Sequence, residues 1–268
     1  LLLLGDSFGL GSGTSQERTA ASLLGADTKL YNLSMVGSPW HQFMNLRATL
    51  PSLETTPQAR LVWLIFPGND LDEQYGSFDP VEPLEVEGAA SALRTGTRRF
   101  ARRSPLRNML LRSARPPGVD LRSSPAGEVL FFRTYVQRAR RSEETLRAHK
   151  NFSVFRQALQ EVKALVEPRG LKILIVAVPP KAEVHGDLLE PSARARQDLS
   201  ETSPFARVLR SICVAEGFGF LDLGPAFVAE ARRRSAAKAG LLYWRDDTHW
   251  NEVGHAFAAQ QIRGALGD

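Results

Sequence analysis

The sequence predicts an α/β fold: a doubly wound, flavodoxin-like parallel sheet of five strands, with helices on both faces and one helical insertion. Three observations predict it. Short apolar runs alternate with amphipathic stretches along the whole chain. The runs are apolar throughout rather than at every second residue, as strands covered on both faces are. The helical stretches between them suit right-handed crossovers between parallel neighbours.

The elements follow in order. Leu1–Leu4 runs directly into Gly5-Asp6-Ser7. It is too short for a signal-peptide core and reads as a buried first strand whose upstream sequence lies outside this chain. Gln16–Leu24 has helical periodicity, and Leu30–Ser34 is a second strand. Trp40–Leu50 is a helix, and Leu61–Phe66 a third strand rich in apolar residues. More than 80 residues then separate Phe66 from the helix opening near Phe152, far beyond an ordinary connection. Residues 75–150 hold Pro80, Pro83, Pro105, Pro116-Pro117 and Pro125, and read as an inserted Arg-rich cap or lid within a single domain spanning 1–268. Phe152–Glu167 (helix), Leu171–Val178 (strand), Pro204–Glu216 (helix) and Phe218–Leu223 (strand) resume the alternation. Pro225–Lys238 and Asn251–Leu266 close the chain as helices.

Composition narrows the classes. Of 268 residues, 43% are hydrophobic, enough for a full core, and no apolar run approaches the roughly 20 residues a membrane span needs. Cys213 is the single cysteine, which excludes an internal disulfide and a cysteine-based zinc site. It sits in Val208-Leu209-Arg210-Ser211-Ile212-Cys213-Val214, the pattern of a buried helix face. The net charge of +5 hides an asymmetry: residues 94–150 carry 14 Arg and Lys150 against Asp120, Glu128, Glu143 and Glu144. Within that run Arg98–Arg112 mixes arginine with apolar residues, a pattern suited to an anionic lipid or glycan surface, or simply to a solvated helix face. Nucleic-acid binding is disfavoured, because no aromatic stacking platform or known binding motif accompanies the charge.

In a doubly wound sheet, functional residues gather beyond the carboxyl ends of the strands. Three segments of unusual chemistry fall there: Gly5-Asp6-Ser7-Phe8-Gly9 after strand one, Pro67-Gly68-Asn69-Asp70 after strand three, and Asp246-Asp247-Thr248-His249-Trp250-Asn251 before the last helix. A serine hydroxyl attacks only when a base within hydrogen-bond reach takes its proton, and a histidine suits that task near neutral pH. Ser7 is thus the candidate nucleophile and His249 its base. Asp246 or Asp247 is the carboxylate that orients the imidazole. The developing oxyanion needs donors, for which Ser7 N–H, Gly37 N–H and the Asn69 amide are candidates. Trp40 and His41, just beyond Gly37, are candidate substrate-lining residues. Each segment also has a local reading, since Asp, Ser and Asn commonly cap helices and form turns. Their order and placement at three strand ends favour a shared site.

These residues resemble the blocks of the SGNH (GDSL-type) hydrolase superfamily: Gly5-Asp6-Ser7 the nucleophile block, Gly37 the second, Gly68-Asn69-Asp70 the third, and Asp246/Asp247 with His249 the last. Phe8 departs from the Leu or Thr usual after the serine. An aspartate three residues before the histidine would be Asp246. A subset resembling alginate-type polysaccharide O-acetyltransferases has Asp-x-His-Trp instead, and Thr248-His249-Trp250 favours Asp247. The loop Pro179-Pro180-Lys181-Ala182-Glu183-Val184 also resembles that subset. The resemblance implies ester hydrolysis or acyl transfer, most simply of acetyl, on a carbohydrate or small ester. It implies no metal and no cofactor, and an extracytoplasmic setting, periplasmic or secreted. A module that binds a glycan or lipid in the same cleft without turnover is the alternative.

Two other patterns carry less. Gly9-Leu10-Gly11-Ser12-Gly13 fails the dinucleotide-binding spacing. His41, His149, His185, His249 and His255 show no metal-binding spacing, and His255 reads as structural.

Overall fold

The computed structural model describes residues 1–56, 58–73, 118–124, 127–189 and 202–267. Residues 1–75 and 120–268 form one compact unit and 76–119 a second, of which only Gly118 and Val119 fall within the described residues. The amphipathic stretch Arg98–Arg112 lies outside them, as does most of the predicted insertion.

In chain order the strands are β1 (Leu2–Leu4), β2 (Tyr31–Asn32), β3 (Arg60–Ile65), β4 (Val119–Ser124), β5 (Gly127–Phe132), β6 (Lys172–Ala177) and β7 (Gly219–Asp222). The helices are α1 (Ser7–Leu10), α2 (Ala20–Leu24), α3 (Pro39–Thr49), α4 (Arg133–Ala139), α5 (Glu143–Arg147), α6 (Phe152–Val166), α7 (Lys181–Val184), α8 (Pro204–Glu216), α9 (Gly224–Ala236) and α10 (Glu252–Leu266). Five strands make one sheet in the order β2-β1-β3-β6-β7, every pair parallel. This is the predicted doubly wound α/β fold.

The sheet explains the uninterrupted apolar runs. Leu2, Leu4, Trp63, Ile65 and Ile175 face one layer of helices, with Phe43 and Leu46 of α3, Leu159 and Val162 of α6, and Leu209 and Ile212 of α8. Leu3, Val62, Leu64, Leu174 and Val176 face the other, with Leu24 of α2, Phe227 of α9 and Ile262 of α10. Alternate side chains enter opposite layers, and both layers are closed, so every side chain from Leu61 to Ile65 is buried. Cys213 is buried in the first layer, where burial pushes its thiol up to about 12 and removes it from thiolate chemistry.

Strand β2 is shorter than the run Leu30–Ser34 predicts. It lies at the sheet edge with β1 as its one neighbour, and only two residues meet the strand pattern. The chain beyond it continues to bond one-sidedly, Leu33 N–H to Leu3 O (2.8 Å) and Met35 N–H to Gly5 O (2.9 Å). The order of strands reverses at β1, since β2 lies on one side of it and β3 on the other, and this switch point opens a crevice above the ends of β1 and β3.

The described part of the insertion is a two-stranded sheet, β4-β5, followed by α4 and α5. Several of its arginines serve internal ion pairs. Arg141 grips Asp72 with two bonds (2.6 and 2.7 Å), Arg138 adds a third contact to the same carboxylate, and Arg133 meets Asp120. Asp72 follows the Asn69 turn, so this segment buttresses the end of β3.

Candidate active site

Ser7 is the first residue of α1, immediately past β1. Asp6 caps that helix: its Oδ1 accepts the Phe8 N–H at 2.9 Å, and burial raises its carboxyl above the usual range. The capping reading and the site reading therefore both describe this motif, Asp6 bracing the turn and Ser7 projecting from it. The opening N–H groups of a helix have no partner within it, which leaves Ser7 N–H available as a donor. Phe8 is buried, its ring 4.6 Å from Phe66, 4.9 Å from Trp250 and 5.1 Å from His249. An aromatic residue at this position is a platform under the imidazole.

His249 and Asp247 come from the turn between α9 and α10. His249 Nε2 lies 2.7 Å from Ser7 Oγ, and His249 Nδ1 lies 2.7 Å from Asp247 Oδ1. An ionised carboxylate only accepts, so Nδ1–H donates to Asp247, and neutral imidazole then presents Nε2 as acceptor for the Ser7 hydroxyl. The His249 bond, with the His249 charge and the backbone N–H groups of Thr248 and His249, holds the Asp247 carboxyl well below its usual range. Asp247 therefore stays ionised under any ordinary assay condition. Asp246 is exposed, and the bond to the imidazole comes from Asp247.

The turn is closed at its neck. Trp244 N–H donates to His249 O (3.0 Å), and Tyr243 pairs with Trp250. Asn251 caps α10 through Oδ1, which accepts from Val253 and Gly254 N–H, while its Nδ2 donates to Leu241 O. A Cβ on Gly254 would sit 2.1 Å from Leu242 O and 2.9 Å from Trp250 Cβ, so only glycine allows α10 to press on the turn. Gly254→Ala is expected to destabilise the protein by about 1–3 kcal/mol through overpacking, measured by urea or thermal unfolding; unchanged stability would contradict this packing.

Asn69 follows β3. Its Nδ2 donates to Glu73 Oε1 at 2.9 Å, which takes one of two amide protons. The buried Asp6 carboxyl senses both the Asn69 amide and the His249 charge, which brings the first, third and last motifs to one locality. Asp70 is buried and accepts the Phe66 N–H (2.7 Å); burial and the nearby Asp6 charge hold its carboxyl well above the usual range. Arg138 of α4 donates to Gly68 O and fixes the turn from outside.

Gly37 has φ +140, a left-handed conformation that favours glycine, and a Cβ there would press on His41 at 3.0 Å. His41 caps α3, its Nδ1 bonded to Ser38 N–H (3.2 Å) and Ser38 Oγ (2.9 Å), and Trp40 packs on Phe43 at 5.3 Å. Both predicted substrate-lining residues thus have structural partners of their own. His255 is fully buried, its Nδ1 accepting Ala20 N–H, and burial lowers it to about 4, in keeping with a structural role.

Several residues escaped the sequence reading. Gln42, fully buried, accepts Trp63 Nε1–H (2.5 Å) and donates to Gly37 O (2.9 Å), linking the central strand to the Gly37 loop. Tyr135 of α4 lies against Phe66 (5.9 Å), and the charges of Asp6, Glu73 and Asp247 all reach it. Lys181 Nζ donates to backbone carbonyls of the 244–247 turn. A buried polar residue in a helix, or a tyrosine in an insertion, carries no local signature, and the resemblance of the Pro179–Val184 loop implies no role for its lysine.

Similarity to known proteins was found at two levels. No curated protein matches the sequence. Among solved structures, an acetyl xylan esterase shares 12% identity over 99% of both chains with a TM-score of 0.48. Phospholipase A1 from Streptomyces albidoflavus NA297 shares 11% over 99% of this chain and 97% of its own (TM-score 0.46). An acetylxylan esterase from Geobacillus stearothermophilus shares 14% over 100% and 93% (TM-score 0.42). The family model for the SGNH hydrolase-like domain of acetyltransferase AlgX matches residues 130–267, a stretch that holds Asp247 and His249 and leaves out Ser7, Gly37 and Asn69. That match spans just over half of the 268 residues, and by it the chain belongs to the SGNH hydrolase-like family of AlgX type.

Proposed function

We propose that this SGNH enzyme hydrolyses or transfers an acyl group, acetyl in the first instance, through an ester formed on Ser7. The observation that carries the reading is the unbroken hydrogen-bonded chain from Asp247 through His249 to Ser7 Oγ. Ser7 Oγ attacks the acyl carbonyl as its proton passes to His249 Nε2. The imidazolium so formed is stabilised by Asp247, and its Nε2–H then protonates the departing alkoxide. Water or a sugar hydroxyl next gives its proton to His249 and attacks the acyl-enzyme, which returns Ser7 as leaving group. The tetrahedral oxyanion is held by Ser7 N–H, Gly37 N–H and the Asn69 side-chain amide. The carbohydrate partner rests on the resemblance to polysaccharide O-acetyltransferases and on the acetyltransferase for which the family model is named.

The experiment is turnover of p-nitrophenyl acetate together with intact mass after an active-serine phosphonate probe. A single adduct mapping to Ser7 is expected. Absence of both turnover and adduct would instead support a module that binds a glycan or lipid without chemistry. Acetylated and unacetylated oligosaccharides, offered as donor and acceptor, then separate hydrolysis from transfer. If Asn69 serves the oxyanion, Asn69→Ala should lower kcat by about 10²- to 10³-fold with little change in KM. A change confined to KM would remove it from the oxyanion hole.

A further inference from the structure

We propose that Lys181 is a positioning residue for the reaction: its buried ammonium gathers the backbone of the 244–247 turn and thereby sets the Asp247 carboxylate on His249. The inference rests on the Ser7–His249–Asp247 reading given above, and extends it to a residue that no motif assigns.

Lys181 opens α7, just past the end of β6, and is 4% exposed. A lysine is rarely buried to this degree unless its charge is satisfied. Here its Nζ lies 2.7 Å from Trp244 O, 2.9 Å from Arg245 O, 2.9 Å from Asp247 O and 2.8 Å from Leu130 O. Three N–H groups are thus shared among four carbonyl oxygens, and three of those belong to a single turn of four residues. Converging carbonyl dipoles repel one another, and an ammonium with three donors offsets that repulsion at this point. The fourth carbonyl ties the turn to β5, and Leu130 N–H reinforces this by donating to Arg245 O at 2.7 Å.

The charges around Lys181 agree with this role. Burial lowers it to about 8, and the charges of Asp247 and Asp246 act in the opposite direction to keep it protonated. Its Nζ lies 5.3 Å over the Phe131 ring, a further favourable contact for a cation. His185, one turn along, is lowered to about 4 by burial and by the Lys181 charge, so it brings no competing cation. With its protons directed at carbonyls, the ammonium is placed to hold backbone. Through Asp247 O it holds the very residue whose side chain orients His249.

Lys181→Met keeps the length of the stem and removes charge and donors. It should deprive the Trp244 and Asp247 carbonyls of their donor, leave Arg245 O with the Leu130 N–H alone, and let Asp247 shift. On p-nitrophenyl acetate, kcat is expected to fall by about 10²-fold, the effect of a displacement near 1 Å, with KM within about twofold. The discriminating readout is a double-mutant cycle on the Ser7-dependent turnover. If Lys181 acts through Asp247, then Lys181→Met should cost little more in an Asp247→Asn background. An equal fold-loss in both backgrounds, or none in either, overturns the proposal, since a generally weakened fold would act in both. If Lys181→Met fails to fold, Lys181→Arg carries the test: it keeps charge and donors, should lose less, and should lose it only when Asp247 is present. Loss independent of Asp247 would again overturn the inference. Asp247→Asn with wild-type kcat would sink the triad reading and this inference together, whereas a damaging Asp247→Asn beside a harmless Lys181→Met sinks the inference alone.

Discussion

Ser7→Ala is expected to reduce kcat toward p-nitrophenyl acetate by about 10⁴- to 10⁶-fold, the range for loss of a serine nucleophile from an intact triad. The substitution removes one oxygen. It keeps the backbone N–H that would bind the oxyanion, the Asp6 cap on Phe8 N–H, and the Phe8 ring beneath His249. Fold and substrate binding should therefore survive, and unfolding transitions of variant and wild type should coincide within about 1 kcal/mol, as for substitutions that leave packing intact. Residual turnover would come from the oxyanion donors acting on water. The phosphonate adduct should disappear with the same change. Full turnover in Ser7→Ala would eliminate the acyl-enzyme, whatever the distances suggest.

Much of this was legible in the sequence, for identifiable reasons. The central strands are apolar at consecutive positions because they are covered twice, and their shortness beside the longer amphipathic stretches is what marks them as strands. The site motifs lie at strand ends because a doubly wound sheet opens its crevice there. Ser7, His249 and the pair Asp246/Asp247 stand out as candidates in the sequence because a nucleophile, a base and an orienting carboxylate must have those chemistries. What stayed hidden depends on contacts distant in sequence. Lys181 meets carbonyls 51 to 66 residues away, contacts that exist only once β5, α7 and the 244–247 turn converge. Gln42 reads as an ordinary helix residue until Trp63 and Gly37 supply its partners. The two-stranded sheet β4-β5 lies in a proline- and arginine-rich stretch whose overall composition masks the short apolar run Val129-Leu130-Phe131-Phe132. Trp40 and His41 are candidates in the sequence by proximity to Gly37, whereas their contacts, Trp40 on Phe43 and His41 with Ser38, carry no local sequence signal.

Asp246 and Asp247 are adjacent, both acidic, and both within reach of His249 by spacing, so the carboxylate assignment makes a sharp paired prediction. Asp247→Asn should lower kcat by about 10³- to 10⁴-fold near neutral pH, because an amide at this place can donate to Nδ1 and select the wrong tautomer. Neutral imidazole would then carry its proton on Nε2, facing Ser7 Oγ, with no acceptor left for the hydroxyl proton. With Nδ2 turned toward His249 Nδ1, Thr248 Oγ1 and the His249 N–H would no longer meet an oxygen there, so a modest loss of stability should accompany the kinetic defect. Asp246→Asn should change kcat by less than about threefold, since an exposed carboxylate is screened by solvent and acts on His249 only at a distance. The pair is measured together on one ester at one pH, with unfolding monitored for both. Were Asp246→Asn the more damaging, the orienting carboxylate would have to be reassigned three residues before the histidine, and the turn would have to rearrange on substrate binding to bring it there. The shape of the turn argues against that rearrangement: its neck is pinned by Trp244 N–H on His249 O, and its interior carbonyls are already held by one ammonium.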